Sequence, residues 1–343
     1  MDFTSKLIQW YRQHKRDLPW RKTKEPYRVW LSEIMLQQTR IDQGLSYYLK
    51  FIETFPTVHH LASASEEEVL KLWQGLGYYS RARNLHHTAR YVVENGNGKF
   101  ADNYKDLLAL KGIGDYTASA IASICYNEPQ AVVDGNVYRV LSRVFGIKTP
   151  VNATGALKEF KAVAQKHLDS KDPGEFNQAL MEFGALYCKP QNPDCNHCIF
   201  KEDCYAFNHQ MVTELPVKTS RTKVRNRFFN YLVVLSSDDK TILEKRTASG
   251  IWKNLYQFPL IEKKENQALE IKEVKEFLNV AEIESISLYS EKPVVHKLSH
   301  QHLHIQFWIV YSGNLGTAGI PFTEIEQLPV PIVLHNFIVN FSF

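Results

Sequence analysis

Four of the five cysteines of this chain fall within seventeen residues, at Cys188, Cys195, Cys198 and Cys204. The spacing C-x6-C-x2-C-x5-C follows the apolar segment ALMEFGALYC and suits a tight loop that gathers four thiolates. Such a loop can hold a tetrahedral zinc or a [4Fe-4S] cluster, whereas two disulfides do not suit a reducing compartment. Zinc sites more often pair two short CxxC knuckles, so a single CxxC between longer spacers favours the [4Fe-4S] cluster, one thiolate to each iron. No G-x-G-x-x-G fingerprint for a nucleotide cofactor accompanies it, and the expected role is structural rather than redox. Cys125, the fifth cysteine, lies in a helical apolar pattern and reads as a small buried filler.

A second group of residues points to phosphate and sugar chemistry. In LLALKGIGDYTASAIAS, Gly112 and Gly114 mark a tight turn between two helices, with Thr117 near the start of the second. Backbone amides at such a turn form a nest that grips a phosphate without side-chain charge, with a monovalent or calcium ion as a candidate companion. The plain alternative is an ordinary helical connection. Twenty residues on, Asp134 follows the apolar Val132 and Val133 and precedes the helical VYRVLSRVFG, with Asn136 beside it. Either residue can cap that helix, and a carboxylate held ionised by nearby amides can also oppose the charge of a cationic sugar transition state. Arg139 and Arg143, four apart, are candidates to support backbone binding.

Two kinds of element must position these groups. Residues 1 to about 210 carry helical spacing, as in LSEIMLQQ and TASAIASIC, with short Gly or Pro punctuation. From Phe228 the texture turns to apolar and β-branched runs, FFNYLVVLSSDDKTILEK and HLHIQFWIVYSG, which read as strands. Between them KTSRTKVRNR, residues 218–227, has five basic residues and no acidic one, an interdomain linker whose charge serves either solvation or phosphate contact. The 343 residues are two domains' worth, and a 44% hydrophobic content suffices for real cores. A net charge of +4, from 41 basic and 37 acidic residues, does not by itself mark a nucleic-acid partner. No run of about 18 apolar residues is present, so no membrane role is expected, and the start MDFTSKLIQW has no leader-like pattern, which suggests a cytoplasmic protein.

These segments together resemble the bacterial adenine DNA glycosylases of the helix-hairpin-helix, GPD and iron-sulfur superfamily. The likeness spans essentially the whole chain and rests on DLPWR (Asp17 to Arg21), PYRVWLSEIMLQQTR (Pro26 to Arg40), QGLGYYSRARNLH (Gln74 to His86), LKGIGDYTA, VVDGNVYRV and the cysteine loop. The resemblance implies a multidomain protein: an all-α helix-hairpin-helix glycosylase core with an iron-sulfur loop, followed by an α+β Nudix-like domain. The implied boundaries are a catalytic region 1–217, with a six-helix subdomain from about 28 to 135 and an iron-sulfur subdomain from 1–27 plus 136–217, then the linker 218–227 and a recognition domain 228–343. It implies Glu33 as the acid acting at adenine N7, Asp134 as the carboxylate that stabilises or captures C1′, and Tyr116 and Asn136 as residues that line and orient that site. Gly112, Gly114, Gln38, Thr39, Tyr78 and Arg21 become DNA contacts, Gln38 and Tyr78 as wedges for the vacated stack and Thr39 beside the opposite base.

The implied partner is double-stranded DNA carrying 8-oxoguanine:adenine or guanine:adenine, met by a monomer associated with the bacterial nucleoid. Strand-cutting relatives carry a Schiff-base lysine where this chain has Tyr116, so the expected product is an abasic site, with Lys111 a source of slow incidental cleavage. TASGIWKNLYQFPL, Thr247 to Leu260, resembles the family's Nudix-like domain, yet Glu273 and Glu276 lack the clustering that holds magnesium, so recognition rather than diphosphate hydrolysis is expected. Leu298, Ser299 and His300 match the family's lesion-sensing loop, where a hydroxyl accepts from the N7 hydrogen of 8-oxoguanine. His300, His302 and His304 share one strand face and read as surface or backbone contacts rather than a metal site.

Overall fold

The computed structural model describes residues 2–219, 224–278, 283–341 and 343, in two compact units: residues 1–63 with 84–220, and residues 64–83 with 221–343. Helices come first: α1 (Phe3–His14), α2 (Pro26–Leu36), α3 (Ile41–Thr54), α4 (Val58–Ser63), α5 (Glu66–Leu72), α6 (Ser80–Gly96), α7 (Tyr104–Leu108), α8 (Asp115–Tyr126), α9 (Gly135–Phe145), α10 (Ala156–His167), α11 (Pro173–Leu186) and α12 (Tyr205–Asn208). Local chemistry sets their starts. Glu25 accepts from the amides of Tyr27 and Arg28 ahead of Pro26, Asp134 caps α9, and Asp172 accepts from the amide of Glu175 ahead of Pro173.

In the helical unit, α8 presents Ala118, Ser119, Ala120, Ala122 and Ser123, all buried, which lets α2, α7 and α11 approach its backbone closely. The main core joins Leu7 and Trp10 of α1, Val140 and Leu141 of α9, and Phe176, Leu180 and Phe183 of α11. The first helix of the chain is therefore held by one formed some 160 residues later; Tyr11 Oη donates to Gln178 Oε1 at 2.7 Å.

The second unit is built on β1 (Arg225–Ser236), β2 (Lys240–Thr241), β3 (Glu244–Lys245), β4 (Tyr256–Gln257), β5 (Leu260–Lys263), α13 (Ile271–Leu278), β6 (Ile283–Leu288), β7 (Val294–Lys297), β8 (Gln301–Ser312), β9 (Ile320–Pro321) and α14 (Ile332–Asn340). β1 and β8 run parallel in register from Arg225 opposite Gln301 to Ser236 opposite Ser312, β5 lines the far edge of β1, and β6 and β7 pair antiparallel with successive halves of β8. Both faces are covered. Val274 of α13 joins Leu232, Val234, Trp308 and Val310 on one, and Phe337 of α14 stacks on Phe307 at 3.9 Å on the other. Burial on both sides explains the continuous apolar run of β1, where a one-sided strand alternates.

Two expectations change. β1 begins at Arg225, and Arg227 makes a bidentate pair with Glu262 (2.7 and 2.6 Å), so the end of KTSRTKVRNR is strand; residues 220–223 lie outside the described residues. Residues 64–83, expected in the helical region, pack as part of the second unit: α5 opens on a Ser65/Glu68 capping box, and its Glu67 accepts from Lys245 Nζ (2.7 Å) and Tyr256 Oη (2.9 Å). Among the described residues no helix is long and apolar enough to cross a membrane.

Candidate active site and lesion-reading turn

Glu33 lies on α2, a helix buried on most of its faces, and is itself only 8% exposed. Taking a carboxylate out of water penalises its charged form, and burial pushes the Glu33 carboxyl up to about 7; a hydrogen bond from Tyr116 and the charge of Arg21 oppose that rise, while Asp134 adds to it. The Tyr116 hydroxyl of α8 donates to Met181 Sδ at 3.4 Å and is close enough to the Glu33 carboxyl to influence its ionisation. Its own ionisation is pushed far up by burial and by the two carboxyls, so it stays a neutral donor.

Asp134 stands at the N-cap of α9. Its Oδ1 accepts from the amides of Asn136 (2.8 Å) and Val137 (2.7 Å), and its Oδ2 from Asn136 Nδ2 (2.8 Å). Burial raises its pKa, and these three bonds counter the rise by favouring the carboxylate. The family resemblance implied one site for Glu33, Tyr116, Asp134 and Asn136, and the fold brings the four side chains into electrostatic or hydrogen-bond contact.

Behind this group lies support that the sequence did not reveal. Arg139 donates to Asn136 Oδ1 (2.8 Å), Gly184 O (2.7 Å) and Cys188 O (2.7 Å), and Arg143 donates to the carbonyls of Leu215 (3.0 Å), Lys189 (2.7 Å) and Pro190 (3.1 Å). Both arginines are buried, which corrects their expected place against a DNA backbone: they tie the cysteine loop to α9. Glu182 of α11 is 1% exposed and takes bidentate bonds from Arg16 (3.0 and 2.6 Å) and Arg21 (2.8 and 2.8 Å). Burial would raise its pKa, but the two guanidinium groups bring it down to about 2. The guanidinium of Arg21, expected at DNA, is thus engaged within the protein beside Glu33. An acid inside the apolar ALMEFGAL was the available signal, because a buried carboxylate demands a partner.

At the hairpin, Gly112 has φ +80, and a Cβ there would lie 2.6 Å from Asn84 Cβ, so conformation and space both require glycine. Gly114 caps α8 and faces open space. Gln38 is exposed with φ +55 at the end of α2; Thr39, half-buried, donates to Gln37 O at 3.3 Å.

The expected metal sites are not found. Among the described residues no group of three or more His, Cys, Asp or Glu side chains is placed to hold a metal ion, which corrects the iron-sulfur loop, the [4Fe-4S] cluster and the hairpin cation. Cys188, Cys195, Cys198 and Cys204 are free and line one small cavity with Phe183, Tyr187 and Phe200. Burial pushes the Cys198 thiol up to about 12 and also raises Cys195 and Cys204. Two of the sulfurs make local bonds: Cys204 Sγ donates to Arg143 O (3.4 Å), and Cys198 Sγ accepts from the Phe200 amide (3.4 Å). At the hairpin, Lys111 O accepts from Thr88 Oγ1 at 2.7 Å.

In the second unit Leu298, Ser299 and His300 form the turn between β7 and β8, closed by the Leu298 amide on Gln301 O (2.8 Å) and the Arg225 amide on His300 O (3.0 Å). Ser299 and His300 are exposed and Leu298 half-buried. Tyr78, expected as a wedge, meets the expected sensor directly: Tyr78 Oη and Ser299 Oγ are 2.6 Å apart. His304 stacks on Phe228 at 4.9 Å, and His296 lies 5.8 Å from the Trp252 ring, both outside any ligand set.

Residues 31–165 match the family described as HhH-GPD superfamily base excision DNA repair protein, and residues 230–339 match the NUDIX domain. The chain is similar to the adenine DNA glycosylase of Buchnera aphidicola subsp. Baizongia pistaciae, 35% identical over 350 residues that cover 98% of this chain and 96% of that one. It is 47% identical to the adenine DNA glycosylase of Rattus norvegicus over 221 residues, 61% of this chain and 42% of that one. Among solved structures, a thermostable thymine-DNA glycosylase superposes with a TM-score of 0.56 at 29% identity, covering 60% of this chain and 95% of that chain.

Proposed function

The chain belongs to the adenine DNA glycosylases of the HhH-GPD superfamily, and on that premise we propose how its own residues divide the work of releasing adenine. The protein is an enzyme that binds double-stranded DNA and hydrolyses the N-glycosidic bond of adenine. Adenine leaves poorly as an anion, so a proton must reach the base as the bond breaks. The observation that carries the assignment is the Glu33 carboxyl, raised to about 7 by burial beside a second carboxyl that keeps three hydrogen-bond donors. Near neutral pH Glu33 retains its proton in a large share of molecules and gives it to N7; the Tyr116 hydroxyl then stabilises the carboxylate left behind. Asp134, fixed by Asn136 and the start of α9, opposes the positive charge that develops at C1′. Water adds its oxygen to C1′ as the bond to N9 breaks and passes its proton to the Glu33 carboxylate, and the products are adenine and an abasic site. Tyr116 supplies no amine for strand scission.

In the proposed complex the amides at Gly112 and Gly114 meet a phosphate, Gln38, Thr39 and Tyr78 occupy the space left by the flipped adenosine, and the Leu298 to His300 turn meets the base opposite. The Ser299 hydroxyl accepts from N7–H, a donor that 8-oxoguanine has and guanine lacks, so 8-oxoguanine:adenine is the preferred substrate over guanine:adenine. The protein acts as a monomer.

Asp134→Asn is expected to abolish adenine release in a single-turnover assay while duplex binding persists; unchanged release overturns the role of Asp134. Release by the wild type should fall as pH rises through about 7, where Glu33 loses its proton, and fall again in acid as Asp134 gains one. A rate that climbs steadily above pH 8 contradicts the assignment of Glu33.

A further inference from the structure

We infer that the Tyr78 hydroxyl positions Ser299, so that the ring that fills the stack and the hydroxyl that reads the opposite base act as one unit; this rests on the reading of Ser299 given above. A serine at the tip of an exposed turn ordinarily rotates among three staggered wells, and its hydroxyl points in no fixed direction. Here the turn backbone is closed by the Leu298 and Arg225 amides, and the 2.6 Å bond to Tyr78 Oη selects one direction for the Ser299 side chain. A reader of N7–H needs its lone pair held toward the base, because an acceptor free to swing away gains little over water.

Tyr78 is itself fixed. Gly75 (φ +97), Gly77 (φ +78) and Tyr78 (φ +50) all have left-handed backbone, and for a bulky residue that conformation persists only where its surroundings hold it. The Arg81 guanidinium lies 5.6 Å from the Tyr78 ring and 5.2 Å from the Trp73 ring, and donates to Gly77 O at 3.2 Å. The segment is anchored to the strands that carry the turn, through Lys245 and Tyr256 on Glu67 and through the Val330 amide on Gln74 Oε1 (3.0 Å). Residues 64–83 belong to the same compact unit as Ser299, although the chain returns to the helical unit on both sides of them. Ring and reader therefore move together when the protein meets DNA, and Ser299 comes into register with the opposite base only when the Tyr78 ring enters the stack.

The test compares single-turnover adenine release from 8-oxoguanine:adenine and guanine:adenine duplexes for Tyr78→Phe, Ser299→Ala and the double variant. Tyr78→Phe keeps the ring and removes only the hydroxyl, so, whatever it costs release from guanine:adenine, the ratio that expresses preference for 8-oxoguanine should fall by roughly three- to tenfold, the effect of one lost hydrogen bond. The double variant should match Ser299→Ala alone, because a positioning residue contributes nothing once the group it positions is gone. If Ser299→Ala lowers the preference while Tyr78→Phe leaves it intact, or if the two losses multiply, the positioning role is overturned and the reading by Ser299 survives. If Ser299→Ala itself leaves the preference unchanged, the reading fails and the inference falls with it.

Discussion

The two ends of this enzyme are held in opposite ways. Around Glu33 and Asp134 the supporting polar groups are multiply paired: Asp134 has three donors, Arg139 links Asn136 to two carbonyls, and Glu182 takes two arginines. The turn proposed to read the opposite base has a closed backbone, exposed Ser299 and His300 side chains and, among the described residues, one side-chain bond, between Tyr78 and Ser299. The contrast follows the tasks. A proton donor near neutral pH exists only where burial is enforced, and enforced burial requires every neighbouring charge to be paired. A reader that approaches a base from solvent must stay exposed, and its precision comes from a single well-aimed contact.

The largest test of that contrast is Glu182→Ala. It leaves Arg16 and Arg21 without their carboxylate, and loss of one partner of a buried pair costs about 3–5 kcal/mol. Chemical denaturation should report that loss; a change below about 1 kcal/mol shows that water rescues both guanidinium groups and that the pocket is not held by its ion pairs. The same carboxyl, at about 2 when folded, should cost stability as pH falls from the ordinary range of a glutamate toward 2, because the unfolded chain then takes the proton first.

Glu33 is the opposite case. Its folded pKa lies above the unfolded one, so it opposes folding as pH rises from the ordinary glutamate range to about 7, by on the order of 3 kcal/mol once fully ionised. Glu33→Gln should therefore gain stability relative to the wild type at pH 8 and show little gain at pH 5. An equal difference at the two pH values removes the raised carboxyl from the account. Next in size is Gly184→Ala: a Cβ there would lie 2.7 Å from Asn136 Cβ and 2.9 Å from Asn136 O. The expected cost is about 1–3 kcal/mol, with slower adenine release because Asn136 carries Asp134. Stability lost without any change in release shows that Asn136 shifts freely.

Legibility follows the same division. The hairpin glycines, the cap at Asp134 and the change from helical to strand texture are local patterns; the first two appear where their residues predict them, and the strand begins three residues before Phe228, at Arg225. The burial of Glu33, the Glu182 pair and the anchoring of Arg139 join residues that are far apart along the chain, and no local spacing encodes them. The cysteine loop shows the converse error. Its spacing predicts a cluster, but spacing alone does not fix the placement of the side chains; the four cysteines line an apolar cavity, and no group placed to hold a metal ion is found among the described residues. The packing of segment 64–83 is hidden from local pattern for a related reason. Its helical pattern matches the helical region, whereas its charged residues, Glu67 above all, find their partners on strands β3 and β4.

The smallest effect sharpens the comparison most. Ser299→Ala and Tyr78→Phe remove exposed hydroxyls that support no core, so each should move folding stability by no more than about 0.5 kcal/mol, the ordinary range for surface changes. Thermal melts of the two variants therefore should overlay the wild type while their choice between 8-oxoguanine and guanine shifts. Substitution at Gly184 or Glu182 should move both readouts together, because there the geometry of the reacting groups and the integrity of the core depend on the same bonds. A Tyr78→Phe variant that melts several degrees lower places the left-handed segment from Gly75 to Tyr78 among the elements that hold the unit together. In that event the reading turn shares the overdetermined character of the adenine pocket, and the division of the molecule into a rigid chemical end and a lightly held reading end no longer stands.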